Sequence, residues 1–222
     1  MRFLAAIFDL DGTLVDNMRV HADVWLAEVA RLGLEVTRDR FEREFAGKKN
    51  EEIIPALLGR AVTPAEVAAL AEAKEARYRE LYRPRLAEVA GATALLDALR
   101  AAGTKVALAT AAPRANRIMV LDGLDWSRRF EAIAGAEDAP RGKPAPDIYL
   151  AAAKALGIDP ARCVAFEDVP NGIASALAAG MACAAVTTNL PAEALLAAGA
   201  TWTMPDFRGL PPDLRRRLSL QG

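Results

Sequence analysis

The sequence predicts an α/β fold: a mostly parallel sheet covered by helices on both faces, with an all-helical block inserted after the first strand. Three observations carry this reading. Short apolar runs recur along the chain and end in polar residues, Ala- and Leu-rich stretches with helical spacing lie between them, and residues 17–83 show helical patterns with no convincing strand. Strands that alternate with helices imply parallel pairing, because each crossover must lie over a face of the sheet.

The elements follow in order. Residues 3–8 read FLAAIF and run into Asp9, Asp11 and Gly12. An apolar run of that length suits a buried strand whose C-terminal end opens into a loop. The period then changes. Val20, Val24, Ala27 and Ala30 share one helical face, as do Val67, Leu70, Ala71, Lys74 and Tyr78. Thr63-Pro64-Ala65-Glu66 is a helix start, with a capping Thr, Pro at the first position and Glu at the third, and Pro84 ends that helix. Residues 16–85 are therefore expected to form a helical lid that pivots at residues 15–17 and 83–88, on a core made of residues 1–15 and 86–222. Further strands are expected at 105–109 (KVALA), 161–166 (ARCVAF) and 181–186 (MACAAV). Helices are expected at 92–101 and 147–156, closed by Gly103 and Gly157.

The 222 residues fit a core domain with one insertion, and a hydrophobic fraction of 53% can fill it. The 28 Lys and Arg nearly cancel the 29 Asp and Glu, which argues against nucleic-acid binding. Arg215, Arg216 and Arg217 are expected on the solvated face of a last helix. Cys163 and Cys183 lie in apolar, strand-like surroundings, which points to reduced thiols and a cytoplasmic location. The N-terminal MRFLAAIFDLDG lacks the long apolar run of a secretory signal, and residues 173–186 are too few to span a bilayer, so no membrane partner is expected.

Four segments carry chemistry. In Asp9-Leu10-Asp11-Gly12-Thr13-Leu14, two carboxylates at i and i+2 straddle a strand end, and Gly12 permits a tight turn. One carboxylate can attack phosphorus while the other handles the leaving-group proton. Thr110 follows the strand at 105–109, where a hydroxyl and the next backbone N–H groups, beginning at Ala111, make an anion site. Lys143 is fixed between Gly142 and Pro144, as a placed cation would be. Glu167 and Asp168 end another strand, and adjacent acids there call for a cation between them. Oxygen-only ligands favour a hard ion such as Mg²⁺.

Taken together, these segments resemble the haloacid dehalogenase superfamily, in the branch that includes phosphoglycolate phosphatases and β-phosphoglucomutase. The likeness spans nearly the whole chain and rests on DLDGTLVDN (9–17), ALATAAPR (107–114), GKPAPDIYL (142–150) and FEDVPNGIASALAAGM (166–181). It implies a Rossmann-like core with a helical cap, and Mg²⁺-dependent hydrolysis of a small phosphorylated metabolite such as a sugar phosphate or phosphoglycolate. It implies further that Asp9 becomes an aspartyl-phosphate, that Asp11 is the general acid and base, and that Thr110 and Lys143 hold the phosphoryl group. The implied Mg²⁺ ligands are the Asp9 side chain, the Asp11 main-chain carbonyl and Asp168, with Glu167 beside the ion or contributing. Thr13, Ala111 and Arg114 fall in the same motifs as substrate contacts. On the cap, His21, Lys74 and the loop Gly47-Lys48-Lys49-Asn50 are similar to substrate-binding positions of the mutase. The mutase's cap arginine is Asn50 here, which removes a bidentate phosphate clamp and favours a phosphatase over a hexose phosphomutase. Asp11 separates the chain from the halide-releasing branch, whose leaving group needs no proton. A monomer or small homo-oligomer is expected.

Overall fold

The computed structural model describes residues 2–45 and 48–220. In chain order its main elements are β1 (Ala5–Phe8), α1 (Met18–Arg31), α2 (Arg38–Phe45), α3 (Asn50–Leu58), α4 (Pro64–Tyr82), α5 (Ala92–Ala101), β2 (Lys105–Ala109), α6 (Arg114–Gly123) and β3 (Ala132–Ala134). They continue as α7 (Asp147–Leu156), β4 (Cys163–Glu167), α8 (Pro170–Ala178), β5 (Ala182–Val186), α9 (Ala192–Ala197), β6 (Trp202–Met204) and α10 (Pro212–Arg217). The strands form one sheet in the order β3-β2-β1-β4-β5-β6, every pair parallel.

Register decides where the chemistry gathers. Phe8, the last residue of β1, pairs with Leu108 on one side and Phe166 on the other. Asp9, Thr110 and Asp168, each one or two residues further on, therefore leave the sheet at the same edge. Along these central strands successive side chains alternate between the two faces of the sheet. Phe8, Val106, Leu108, Val164 and Phe166 belong to one buried cluster, and Ala5, Ile7, Ala107, Ala109 and Ala165 to its counterpart across the sheet. Phe8 and Phe166 stack at 4.4 Å between ring centroids, an adjacent-strand pair that helps to lock this register.

Residues 3–8 pair from Ala5 onward. The strand expected at 161–166 begins only at Cys163, because the Asp159 side chain accepts from Ala161 N at 2.9 Å and tightens residues 160–162 into a 3₁₀ turn. β3 and β6 have no counterpart in the sequence reading. Each has three residues at a sheet edge, too few to display a period.

The described residues between 16 and 85 form α1–α4 and a 3₁₀ turn at Arg83–Arg85, with no strand. They carry a cluster of their own, built on Trp25, Phe41, Phe45, Ile53 and Ile54. α4 starts as its sequence indicates: Thr63 Oγ1 accepts from Glu66 N at 3.2 Å, and Glu66 accepts from Thr63 N at 2.9 Å. On α1 the expected face is wrong in part. Ala27 and Ala30 are exposed, and the buried side is His21, Ala22, Val24, Trp25 and Val29. Larger apolar side chains gain more from burial than alanine does, so Trp25 and Val29 set the orientation. The two chain segments joining the helices to the sheet lie side by side, with Val15 bridged to Glu88 and Val89 N donating to Leu14 O at 2.8 Å.

Both cysteines are free and buried. Among the described residues no helix is long and apolar enough to cross a membrane. The arginine run is only partly a solvated face. Arg217 lies over the Phe3 and Trp202 rings, 5.9 and 5.5 Å from their centroids, where its cation meets the electron-rich aromatic faces.

Candidate active site

Asp9 is 6% exposed, and its backbone N donates to Phe166 O at 3.0 Å, which anchors it to β4. Lys143, 2% exposed, reaches it from the loop before α7: Nζ donates to Asp9 Oδ1 at 2.7 Å and to Glu167 Oε1 at 2.5 Å. Asp9, Glu167 and Asp168 each offer an oxygen within 4.8 Å of the others, all buried.

Two glycines make room for this crowding. A Cβ at Gly172 would stand 2.0 Å from the Glu167 carboxyl carbon. Gly12 has φ +82°, and a Cβ there would stand 2.1 Å from Asp168 Oδ2. Further donors converge on these carboxylates. Tyr149 OH donates to the same Glu167 Oε1 at 2.6 Å, Glu167 Oε2 accepts from Asp168 N at 3.2 Å, and Asp168 accepts from Thr13 Oγ1 at 3.1 Å and from Asn189 Nδ2 at 2.6 Å.

Burial pushes the Asp9 carboxyl up to about 7, against the pull of Lys143 and with the push of Glu167 and Asp11. Burial, Glu167 and Asp9 raise Asp168 well above the usual carboxylate range. Lys143 is itself buried, but the two carboxylates it touches outweigh that and raise its pKa. Three buried carboxylates facing one ammonium leave excess negative charge in a poorly solvated place. That donor set is all oxygen, and it fits a small hard dication.

Asp11 points elsewhere. Its carboxylate accepts from Asn17 Nδ2 at 2.6 Å and lies 3.7 Å from His21 Nε2. Burial alone would raise its pKa, yet His21 and Asn17 bring it below the usual range. Lys74 Nζ is 2.8 Å from His21 Nδ1 and donates to Glu75 Oε1 at 2.9 Å. An ammonium has only protons to give, so Nδ1 accepts and Nε2 carries the proton that faces Asp11. Burial lowers the Lys74 pKa despite Glu75. Glu75 also accepts from Asn50 Nδ2 at 2.9 Å and Asn116 Nδ2 at 2.7 Å.

Between sheet and helices lies a chamber of about 70 Å³. Its sheet side is Asp9, Asp11, Thr110, Ala111, Ala112, Pro113 and Lys143. Its helical side is Met18, Trp25, Phe41, Phe45 and Ile53, with His21, Lys48, Asn50, Lys74 and Glu75 at the flank. Of the sequence-predicted substrate contacts, His21, Lys48, Asn50, Lys74 and Ala111 line this chamber, and Gly47 lies outside the described residues. Three others do not line it. Thr13 is wholly buried and spends its hydroxyl on Asp168, Arg114 is exposed at the start of α6, and Lys49 donates to the carbonyls of Ala136 and Ala139. Thr110 Oγ1 accepts from Ala112 N at 3.0 Å, shaping the turn while its own proton remains to be donated.

Sequence reasoning missed Asn17, Tyr149, Glu75 and Asn189. Asn17 and Tyr149 stand inside the motifs quoted above and could have been found there. Asn189 follows β5, in a loop with no chemical signal of its own.

An α/β sheet that gathers a carboxylate, an ammonium, a hydroxyl and an acidic pair at one edge, beneath a helical cover, defines a class of two-part enzymes. The chain matches the model of the haloacid dehalogenase-like hydrolases over residues 3–180, and it belongs to that family. It is 36% identical over 191 residues to protein CbbY of Rhodobacter capsulatus, covering 82% of this chain and 84% of the relative. It is 34% identical over 184 residues to hexitol phosphatase B of Escherichia coli K12, covering 81% and 82%. A crystal structure of β-phosphoglucomutase from Clostridium difficile superposes with a TM-score of 0.85 at 26% identity, covering 98% of this chain and 97% of that one.

Proposed function

We propose that the protein is a Mg²⁺-dependent phosphatase that hydrolyses a small phosphorylated metabolite, such as a sugar or polyol phosphate, in the cytoplasm, by way of a phosphoaspartate on Asp9. The observation that carries this reading is the Asp9 carboxylate, held by Lys143 at the mouth of an acidic cluster and open to the chamber.

Asp9, Glu167 and Asp168, with the Asp11 carbonyl, would hold Mg²⁺, which when bound keeps Asp9 ionised and offsets charge on the phosphoryl oxygens. Asp9 attacks phosphorus, and the bond to the ester oxygen breaks. Lys143 and the Thr110 hydroxyl hold the phosphoryl oxygens, and the Ala111 and Ala112 backbone segment forms the wall behind them. The departing oxygen takes a proton from Asp11. Asp11 is ionised in the resting arrangement, so it acts as an acid only after taking up a proton, which solvent or an incoming phosphate monoester monoanion supplies, while His21 Nε2 faces it at 3.7 Å. Water then attacks the phosphoaspartate, Asp11 takes the proton, and Asp9 is regenerated.

A chamber of about 70 Å³ is far below the roughly 300 Å³ at which ligand pockets begin. The helical block is taken to swing away at residues 15–17 and 83–88 to admit substrate, closing again over the bound ester. Small-angle scattering that gives one profile with and without substrate would contradict this motion.

The alternative is a hexose phosphomutase using the same phosphoaspartate. Such a reaction must grip a second phosphate at the far end of the chamber. On the helical flank the Asn50 amide is committed to Glu75, and Lys74 is held by His21 and Glu75. Among the described residues that leaves Lys48 as the cation facing the chamber there and no bidentate clamp, and this supports the phosphatase. The deciding experiment supplies a β-hexose 1-phosphate with a trace of bisphosphate, alongside hexitol phosphates. Free phosphate is expected. Accumulation of the 6-phosphate isomer in its place would overturn the hydrolytic reading.

A further inference from the structure

The loop that carries Lys143 is held from outside the sheet. Gly142 is buried, and its N–H donates to Glu52 Oε1, on the first turn of α3, at 3.1 Å. Its carbonyl accepts from Ala145 N at 3.0 Å, so the turn around Lys143 has one peptide group tied within itself and the other tied to the helical block. The second Glu52 oxygen accepts from Lys49 N at 3.2 Å, which caps α3. Lys49 Nζ then crosses to the same loop and donates to Ala136 O at 2.6 Å and to Ala139 O.

A second, independent observation concerns the glycine itself. Gly142 lies outside the left-handed region, so its backbone would accept another residue. What it lacks is room, because a Cβ would stand 2.2 Å from Glu52 Oε2. The Glu52 carboxylate fills the space a side chain would take.

We propose that Glu52 is a positioning residue that couples closure of the helical block to the seating of Lys143, with Lys49 bracing the same loop. The inference rests on the reading that Lys143 holds the transferred phosphoryl group. When the block swings away, the Gly142 N–H loses its acceptor and the turn loosens. When the block closes, Glu52 takes up the N–H, and the ammonium is carried to its place between Asp9 and Glu167. The enzyme thus completes its phosphate site only with the chamber shut, and water entering an open chamber meets an unfinished site.

The test compares Glu52→Ala, Glu52→Gln, Gly142→Ala and the Glu52→Ala/Gly142→Ala pair, using an aryl phosphate and saturating Mg²⁺. Glu52→Ala is expected to lower kcat about three- to tenfold, the size of one ordinary hydrogen bond, with KM moving less than about twofold. Glu52→Gln should recover most of that loss, because its amide oxygen still accepts from Gly142. Gly142→Ala pushes the carboxylate aside and should match Glu52→Ala in kcat, while Glu52 keeps its charge and can still cap α3 after the carboxylate rotates. The pair should be no slower than the slower single variant, as expected of two changes that break one contact. A role confined to capping α3 would lower the melting temperature of the Glu52→Ala protein and leave Gly142→Ala at parental kcat. Parental kcat in Gly142→Ala, or losses that multiply in the pair, overturns the inference. Calorimetric titration with inorganic phosphate and Mg²⁺ reads the same series without turnover, with affinity expected to fall about threefold or more in both single variants. If the parent hydrolyses no ester, the phosphatase reading fails, and the phosphate titration still decides the role of Glu52.

Discussion

Stripping divalent ions with a chelator and raising the pH from about 5 to about 7.5 is expected to destabilise the protein, and the cause lies at Asp9. Its buried carboxyl is pushed up from an ordinary 3.8 to about 7, even with Lys143 bonded to it, and burial raises Asp168 in the same sense. A carboxyl with a raised pKa binds its proton more tightly in the folded chain than in the unfolded one. Its stabilising share is complete below its unfolded value of 3.8 and is lost as the pH climbs through about 7. At about 1.4 kcal/mol for each tenfold change in proton affinity, the part of the Asp9 share lost between about pH 5 and about pH 7.5 is about 2.5 kcal/mol. Asp11 and Glu75, held below the usual range, act in the opposite sense but under this window: their share is lost only as the pH falls through their lowered values. For a chain of this size 1 kcal/mol moves the melting temperature by about 2–4 °C, so a fall of about 5–10 °C is expected in chelator. At the higher pH, Mg²⁺ at about a hundred times its Kd should return about 2.7 kcal/mol, and at the lower pH clearly less, because Asp9 is then protonated. Scanning calorimetry in chelator and in Mg²⁺ at both pH values measures all four states. A metal-free melting temperature that is flat or rises over this range, or an equal gain from Mg²⁺ at both pH values, refutes the reasoning.

Four substitutions extend the test. Asp9→Asn should nearly abolish phosphate release with the fold intact, and should raise the metal-free melting temperature near neutral pH by removing a buried anion. Asp11→Ala should cost about 10²- to 10⁴-fold on sugar phosphates and much less on aryl phosphates, whose leaving oxygen needs little protonation; equal losses on both would count against Asp11 as the acid. Gly12→Ala forces a side chain into φ +82° and against Asp168, so titration calorimetry should show Mg²⁺ bound about tenfold or more weakly, at about 1–2 kcal/mol of backbone strain. Trp126, wholly buried with its indole N–H donated to Thr93 Oγ1 at 2.9 Å, lies outside the chamber lining. Its replacement by Ala should cost about 3–5 kcal/mol in urea unfolding and leave the kcat of the folded enzyme unchanged.

The central strands, and the polar residues that follow them, were legible because each leaves a local mark. A fully buried parallel strand is a continuous apolar run, and the residues at its end are polar because the sheet edge opens to a crevice. β1, β2, β4 and β5 could be read in that way, and with them Asp9, Thr110 and the pair Glu167–Asp168. The three-residue edge strands could not. Alanine-rich helices blurred the faces: on α1 a spacing rule weighed Ala27 equally with Trp25, whereas burial follows side-chain area. The helical flank of the chamber was the least legible part. Lys49 was indistinguishable by sequence from Lys48, since both sit in one short basic loop, and only the geometry separates a lysine that faces the chamber from one bonded to backbone carbonyls. Glu75 gave no sign either, because a buried acid is recognisable only by the three donors that converge on it.

The position of β1 bears on how the site keeps time. With a ladder on each side, the strand leading to Asp9 is released only when pairing on both sides fails, so its amides should rank among the slowest to exchange with deuterium. The carboxylate proposed to attack phosphorus thus hangs from the stillest part of the molecule. Thermal fluctuation is left to the loops around it, so turnover can vary with their tempo while the line of attack on phosphorus stays fixed.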